Sequence, residues 1–394
     1  MKLCVISPFP PELNGIGQYA WNVVQGLART GGFSEITVLT QRPLAALPHY
    51  DVQPDGEANA LVRTRYLWTR DDLTATARLA RVIRAERPDA VWLNLDFTMF
   101  GATRPANFLG LLGPLMTRQA GRPLVVTLHQ MLEASPPRTI GAKNGSLTTL
   151  GLRAATHMLL RADTVCVTLQ RYARTLQSRY GARNVRHVPH GAFTALEQLP
   201  APEAGAPDNI LFFGFAAPFK GLPTLLDAYN LLRERGRPVT LTIAGPDHKR
   251  FPGYQAGLRA RLDGAAGRGI RWLGPQSEAE LREAFAHARV VVLPYTATTG
   301  ASSVLNRAAA FGRPIVASDL PDLRAAAEEG GLLADYVPPA RADELAAALD
   351  GLLLDRPRQA RMARHNLAAM RHLTLDSTCA RYLEIFRQSR PALV

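Results

Sequence analysis

The sequence predicts an α/β fold made of two Rossmann-like domains facing across a cleft, and three observations carry that expectation. Short apolar, β-branched runs alternate with amphipathic helical patterns along almost all of the 394 residues, as in parallel sheets joined by helical crossovers. One stretch, residues 193–207, breaks the alternation: it is rich in Pro and Ala, has no period, and divides the chain into halves of similar length. Several of the apolar runs end in Gly-bearing turns that open helices, and ligands of such sheets bind at the carboxyl ends of the strands.

Taken in order, the strands expected in the first half are 3–7, 36–40, 61–67, 89–94, 124–128, 164–168 and 185–188, each a short apolar run bounded by turn residues. Between them, apolar residues at three- and four-residue spacing predict helices over 16–30, 72–87, 104–119, 146–161 and 170–180. In the second half strands are expected near 209–214, 239–244, 269–273, 289–293, 314–317 and 331–334. Helices are expected near 221–235, 253–266, 277–287, 302–311, 341–355 and 357–372. A last amphipathic helix spans 377–388, with Cys379, Tyr382, Leu383 and Phe386 on one face. The domains expected are 1–192, a linker 193–207, 208–374, and a terminal helix 375–394.

Composition narrows the class. A 47% hydrophobic content suits globular domains with sizeable cores. The cysteines Cys4, Cys166 and Cys379 lie far apart, so no disulfide framework follows and a reducing, cytoplasmic compartment is expected. The chain opens on a strand-like run with no basic leader, and no apolar run reaches the length of a membrane helix. Of the formal net charge of +13, +10 falls in residues 1–192, almost all of it from Arg. That surplus reads either as the codon bias of a GC-rich genome or as a first half that faces something anionic, such as the inner surface of a membrane. Nucleic acid is not expected, because the basic residues are scattered and no aromatic-interleaved basic run occurs.

The chemistry-bearing segments are turns. Residues 298–303, Thr-Thr-Gly-Ala-Ser-Ser, lead into a helix and offer backbone N–H groups at its N-terminus, where the helix dipole favours an anion. The run Ile210 to Leu222 is a strand ending in Gly214 and then a single Lys220, one of only four lysines in the chain. Two phosphate-suited turns in one half point to a diphosphate-bearing ligand. In the first half, Pro8 to Ala20 follows the first strand, and Gly15 and Gly17 let backbone approach a ligand without a Cβ in the way. An ordinary strand-to-helix turn would read the same. Strand 124–128 ends at His129, a group that titrates near neutrality, although a lone His is more often structural. His190 sits in the turn Val188-Pro-His-Gly-Ala192. Trp272, in Arg271-Trp-Leu-Gly274-Pro275, reads as a core residue. The nine histidines have no paired-ligand spacing, and there is no Asp-x-Asp at a strand end, nucleophile elbow or P-loop, so neither a metal nor another cofactor is expected.

The order and spacing of these segments over nearly the whole chain resemble retaining glycosyltransferases of family 4, which have the GT-B fold. The resemblance implies transfer of a sugar from a nucleotide diphosphate sugar to a hydroxyl acceptor (a glycan, a glycolipid or a secondary metabolite) without metal. It implies that Gly15 and Gly17, Lys220, and the cradle Gly300, Ala301, Ser302 and Ser303 meet the donor diphosphate. His129 would lie near the reacting face of the sugar, and His190 and Thr298 would help position that sugar. Gly274 and Asn306 would lie at the nucleotide, and the last helix would cross back onto the first domain. The sequence departs from the family in three places. The phosphate-binding Arg is missing, since Phe215 and Ala217 are apolar. Both carboxylates of the Glu-x7-Glu region are also missing, with Thr298 and Asn306 standing for them. These losses keep a non-catalytic sugar-nucleotide binder open as the alternative, ahead of an epimerase or a phosphorylase-like enzyme on the same architecture. The helical runs 104–119 and 146–161 carry enough Leu, Phe and Met either for core faces or for peripheral docking on an anionic membrane.

Overall fold

In the computed structural model the described residues are 1–11, 14–43, 59–119, 121–131, 146–200, 202, 205–262, 267–298 and 300–389. They form two compact units. The first comprises 1–131, 146–193 and 374–389 of the described residues, and the second 194–373.

The first unit is a seven-stranded parallel sheet in the order β3-β2-β1-β4-β5-β6-β7. Its strands are β1 (Lys2–Ile6), β2 (Glu35–Gln41), β3 (Leu61–Trp68), β4 (Ala90–Leu95), β5 (Leu124–Leu128), β6 (Thr164–Val167) and β7 (Val185–His187). Every residue of β4 and β5 is buried, as expected of central strands covered by helices on both faces. The edge strand β3 is mostly exposed. The helices are α1 (Gly15–Arg29), α2 (Ala75–Glu86), α3 (Arg104–Gln119), α4 (Ser146–Leu159) and α5 (Gln170–Tyr180). The chain ends in α13 (Leu375–Gln388), which returns to this unit. Its Cys379, Tyr382, Ile385 and Phe386 join one buried cluster with α1, β1 and β2.

The second unit repeats the plan with six parallel strands in the order β10-β9-β8-β11-β12-β13. They are β8 (Asp208–Phe213), β9 (Val239–Ala244), β10 (Ile270–Leu273), β11 (Val290–Leu293), β12 (Ile315–Ser318) and β13 (Asp335–Val337). Its helices are α6 (Leu222–Glu234), α7 (Tyr254–Arg259), α8 (Glu278–His287), α9 (Ser303–Ala310), α10 (Pro321–Gly330), α11 (Ala342–Leu354) and α12 (Arg356–Met370). Ser277 starts α8 with a full capping box, its side chain accepting from Glu280 N–H while Glu280 reaches back.

In both units the first and fourth strands lie side by side: β1 against β4 (Ile6 opposite Leu93) and β8 against β11 (Val290 opposite Ile210). Strand order reverses at each of these pairs, which makes the adjoining carboxyl ends the natural ligand crevices.

Three elements differ from the sequence expectation. The last strand lies at Asp335–Val337 rather than 331–334, because Gly331 takes a left-handed C-cap and the chain pairs with β12 only beyond it. Helix α10 was not anticipated, since only Asp322, Leu323 and Ala327 are buried and an Ala-rich segment shows little apolar period. Helix α7 ends at Arg259, with 260–262 outside it; 263–266, the end of the expected helix, lie outside the described residues. Within the segment expected to be a linker, residues 197–200 pack on the second unit: Leu199 is buried, Glu197 N–H donates to Ala310 O, and Arg313 donates to Pro200 O.

Candidate active site

The residues nominated from the sequence lie at the start of α1 and after β5 and β7 in the first unit, and after β8, β10 and β11 in the second. In the first unit, His129 follows β5 and its Nε2 lies 2.6 Å from Asn94 Oδ1 at the end of β4. The roles in that bond follow from Asn94's other contacts. Its amide nitrogen donates to Ser7 Oγ (2.9 Å) and to Ile16 O (3.2 Å), and a carbonyl can only accept. Oδ1 is therefore the acceptor, His129 Nε2 carries the proton, and Nδ1 is left as an acceptor. Burial pushes the His129 pKa down to about 3, with His190 adding to the shift, so the imidazole is neutral at physiological pH. Burial likewise lowers the His190 pKa. His190 Nδ1 lies 2.8 Å from Gly191 O, and its ring stacks on Phe193 at 5.0 Å. Tyr19 joins the two histidines, its ring meeting His129 edge-on at 4.5 Å and His190 at 5.1 Å. Gly15 and Gly17 open α1, where Asn14 is the N-cap and accepts from Gly17 N–H.

In the second unit, the turns after β8 and β9 pack glycine to glycine. Gly214 and Gly245 have φ of +127° and +118°, and a Cβ on Gly245 would stand 2.4 Å from Gly214 O. The chain then forms a 3₁₀ turn over Pro218–Lys220. The Lys220 ammonium lies 3.7 Å from the centroid of the Tyr295 ring, a cation–π contact that fixes a flexible side chain. Phe219 N–H and carbonyl groups belong to the same turn, and Phe219 O accepts from Thr296 N–H (3.0 Å) and Ala297 N–H (3.3 Å) just beyond β11. At one of the two positions where the phosphate-binding Arg is missing, Phe215 faces His248 edge-on at 6.2 Å, within an aromatic group that includes Phe219 and Phe251.

Thr298 Oγ1 donates to Gly300 O at 3.2 Å, and Thr299 lies outside the described residues. Gly300 and Ala301 lead to Ser302, the N-cap of α9, whose hydroxyl makes no cap hydrogen bond. Backbone donors of the first turn, starting at Ser303, are thus not taken up by the cap side chain, and an anion can take them. Ser303 and Arg307, one helical turn apart, are the residues of α9 that are not buried. Asn306 is only 5% exposed, so its amide sits inside the unit, and the outward position belongs to Arg307. Arg307 holds Glu278 of α8 at 3.0 Å and lies 5.7 Å from the Phe213 ring. Gly274 is exposed at the end of β10, with nothing within 4 Å of where a Cβ would be. Trp272 is half-buried, with the Arg259 guanidinium 4.9 Å from its ring.

Sequence reasoning passed over Asn94, Tyr19, Tyr295 and Arg307. A lone Asn inside the apolar strand Ala-Val-Trp-Leu-Asn-Leu was the one legible signal among them, since a buried amide needs partners. Among the described residues no group of three or more His, Cys, Asp or Glu could hold a metal ion, and no helix is long and apolar enough to cross a membrane.

Two family models match the chain: "Glycosyl transferase 4-like domain" over residues 14–191 and "Glycosyl transferases group 1" over 207–355. The phosphatidyl-myo-inositol mannosyltransferase of Mycobacterium tuberculosis is 28% identical over 365 residues, covering 90% of this chain and 87% of that protein. The Mycolicibacterium smegmatis protein of the same name is 34% identical over 148 residues, 37% of this chain and 36% of its own. Among solved structures, sucrose-phosphate synthase from Thermosynechococcus elongatus superposes with a TM-score of 0.74 at 19% identity, over 98% of both chains. Anabaena Alr3699/HepE in complex with UDP-glucose superposes at 0.71 with 18% identity, over 98% of this chain and all of that one. At such identities the structural likeness establishes the fold.

Proposed function

This chain belongs to the GT4-like glycosyltransferases of GT-B fold, and we propose that it is a metal-independent retaining enzyme that moves a sugar from a nucleotide diphosphate sugar to a hydroxyl acceptor. The observation that carries the reading is the second unit's switch point. There Lys220, held on Tyr295, shares the carboxyl edge of β8 and β11 with the helix start at 300–303. Both features stabilise negative charge, and that charge is largest on the diphosphate as it leaves.

In the proposed reaction the bond between the sugar's anomeric carbon and the diphosphate oxygen breaks, and its electron pair leaves with the nucleoside diphosphate. The acceptor oxygen bonds that carbon from the same face, and its proton passes to the departing phosphate. Lys220 and the α9 N–H groups hold the leaving group. His129, neutral and with Nε2–H committed to Asn94, offers Nδ1 to a sugar hydroxyl, so it positions rather than carries charge. Thr298 and His190 would assist in positioning the sugar, and Gly274 would leave room for the nucleotide. The names of the mycobacterial relatives favour an acceptor at a membrane surface. Exposed Phe108, Leu109 and Leu150 on the first unit, with its basic surplus, give that reading its contacts.

The test is a thermal-shift panel of UDP, GDP, dTDP and ADP with their common sugars, followed by NMR of the product's anomeric configuration. One nucleotide should raise Tm in the native protein and not in Lys220→Ala. No shift with any of them, or an inverted product, overturns the proposal. Anionic liposomes should sediment the protein at low salt; absence of binding removes the membrane part alone.

A further inference from the structure

We propose that Tyr382, near the carboxyl end of the chain, is a positioning residue for the histidine pair of the first unit, acting through Tyr19. This rests on the transferase reading above. Trp92 Nε1–H, which can only donate, gives its proton to Thr127 Oγ1 at 2.9 Å. Thr127 shares a hydrogen bond with the Tyr382 hydroxyl at 2.8 Å, and Tyr382 shares another with the Tyr19 hydroxyl at 3.0 Å. All four side chains are at most 1% exposed, so the hydroxyls find their partners inside the protein, Thr127 also meeting the Cys166 thiol. At the other end of Tyr19, the ring lies against His129 and His190.

The chain of hydroxyls therefore ends on Tyr19, whose ring meets the two imidazoles. Thr127 lies in β5, and His129 follows two residues on, just past the strand's end at Leu128. Asn94 fixes one edge of His129 by a hydrogen bond, and Tyr19 fixes it by ring contact. Helix α13 is seated closely enough for this. A Cβ on Gly26 of α1 would stand 2.4 Å from Cys379 Sγ, and one on Gly32 would stand 2.4 Å from Leu383. A phenol at 382 thus reaches the sheet only because α1 is cut back where α13 crosses it. Ordinary core filling would need the Tyr382 ring, which packs on Trp92 at 5.0 Å, but not its hydroxyl.

The test compares Tyr382→Phe, Tyr19→Phe and the double variant with Phe386→Leu, a packing lesion beside Tyr382 that removes no hydroxyl. Loss of one hydroxyl should lower kcat about tenfold, as expected for a misplaced group near the reacting atoms. Donor KM and the nucleotide-induced rise in Tm should not change. The double variant should be no worse than either single, because both break one chain. Phe386→Leu should lower Tm and leave kcat per folded molecule intact. A Tyr382→Phe kcat within twofold of the native value, or a kcat loss in Phe386→Leu equal to it, overturns the proposal. If the native protein transfers no sugar, the functional reading falls and the inference with it. Transfer with an indifferent Tyr382→Phe removes the inference only.

Discussion

Replacing Gly221 with Ala should unseat the turn that presents Lys220. Gly221 sits at φ +69° between the 3₁₀ turn and α6, and a methyl there would stand 1.7 Å from Pro294 O. Close C···O contacts in proteins begin near 3.3 Å, so the overlap is about 1.5 Å and cannot be absorbed by a side-chain rotation, because the obstacle is backbone. The left-handed conformation alone costs a non-Gly residue about 1–2 kcal/mol. Relief of the overlap must move the turn away from Pro294, breaking the bonds from Thr296 and Ala297 N–H to Phe219 O at about 1 kcal/mol each. The sum is about 3–4 kcal/mol, high for a single methyl. Urea unfolding of the variant measures it, and the nucleotide-induced rise in Tm reads whether Lys220 is still placed. Gly257→Ala is the control: it lies within α7 with nothing within 4 Å of its Cβ position, and should be neutral or stabilising by about 0.5–1 kcal/mol. A Gly221→Ala cost below about 1 kcal/mol would refute the reasoning.

Two further predictions concern buried ionisable groups. Arg313 is 3% exposed, donates to Phe285 O (2.7 Å), Pro200 O (2.7 Å) and Ala286 O (3.2 Å), and keeps its charge at neutral pH although burial lowers its pKa to about 10. Arg313→Lys cannot reach all three carbonyls and should cost about 3 kcal/mol in urea unfolding; a cost under about 1 kcal/mol would count against the fork-like role. The pKa of His129 lies below its unfolded value, so the unfolded chain binds the extra proton and stability is lost as pH falls from about 6.5 toward 3. At pH 5 the loss relative to pH 7 should be about 2 kcal/mol, with His190 acting in the same direction, and His129→Gln should show a correspondingly shallower pH dependence. An identical pH dependence in that variant would mean that the imidazole is not held neutral.

How far the site was legible follows from which interactions are local. The Gly-ended strands, the Lys220 turn and the polar start of α9 depend on residues adjacent in sequence, so spacing alone located them. At α9 the limit is which side chain faces outward: successive helical residues turn by about 100°, and only the fold sets Arg307 outward with Asn306 buried beside it. Likewise, residues 193–207 lack a period and read as a linker, yet Leu199 is buried, Glu197 N–H donates to Ala310 O of α9 and Arg313 holds the carbonyl of Pro200, contacts that no local pattern announces.

The sequence by itself determined the alternation of strands and helices, the two-unit plan, and the glycine turns at the strand ends, because hydrophobic period, glycine and helix starts act over a few residues. Tertiary structure alone decided the rest. It set the protonation of His129 through Asn94, the seat of Lys220 on Tyr295, and the reach of Tyr382 across 363 residues to Tyr19. Each of these is a contact between distant segments, made only once the parallel sheets bring strand ends together and α13 packs on α1.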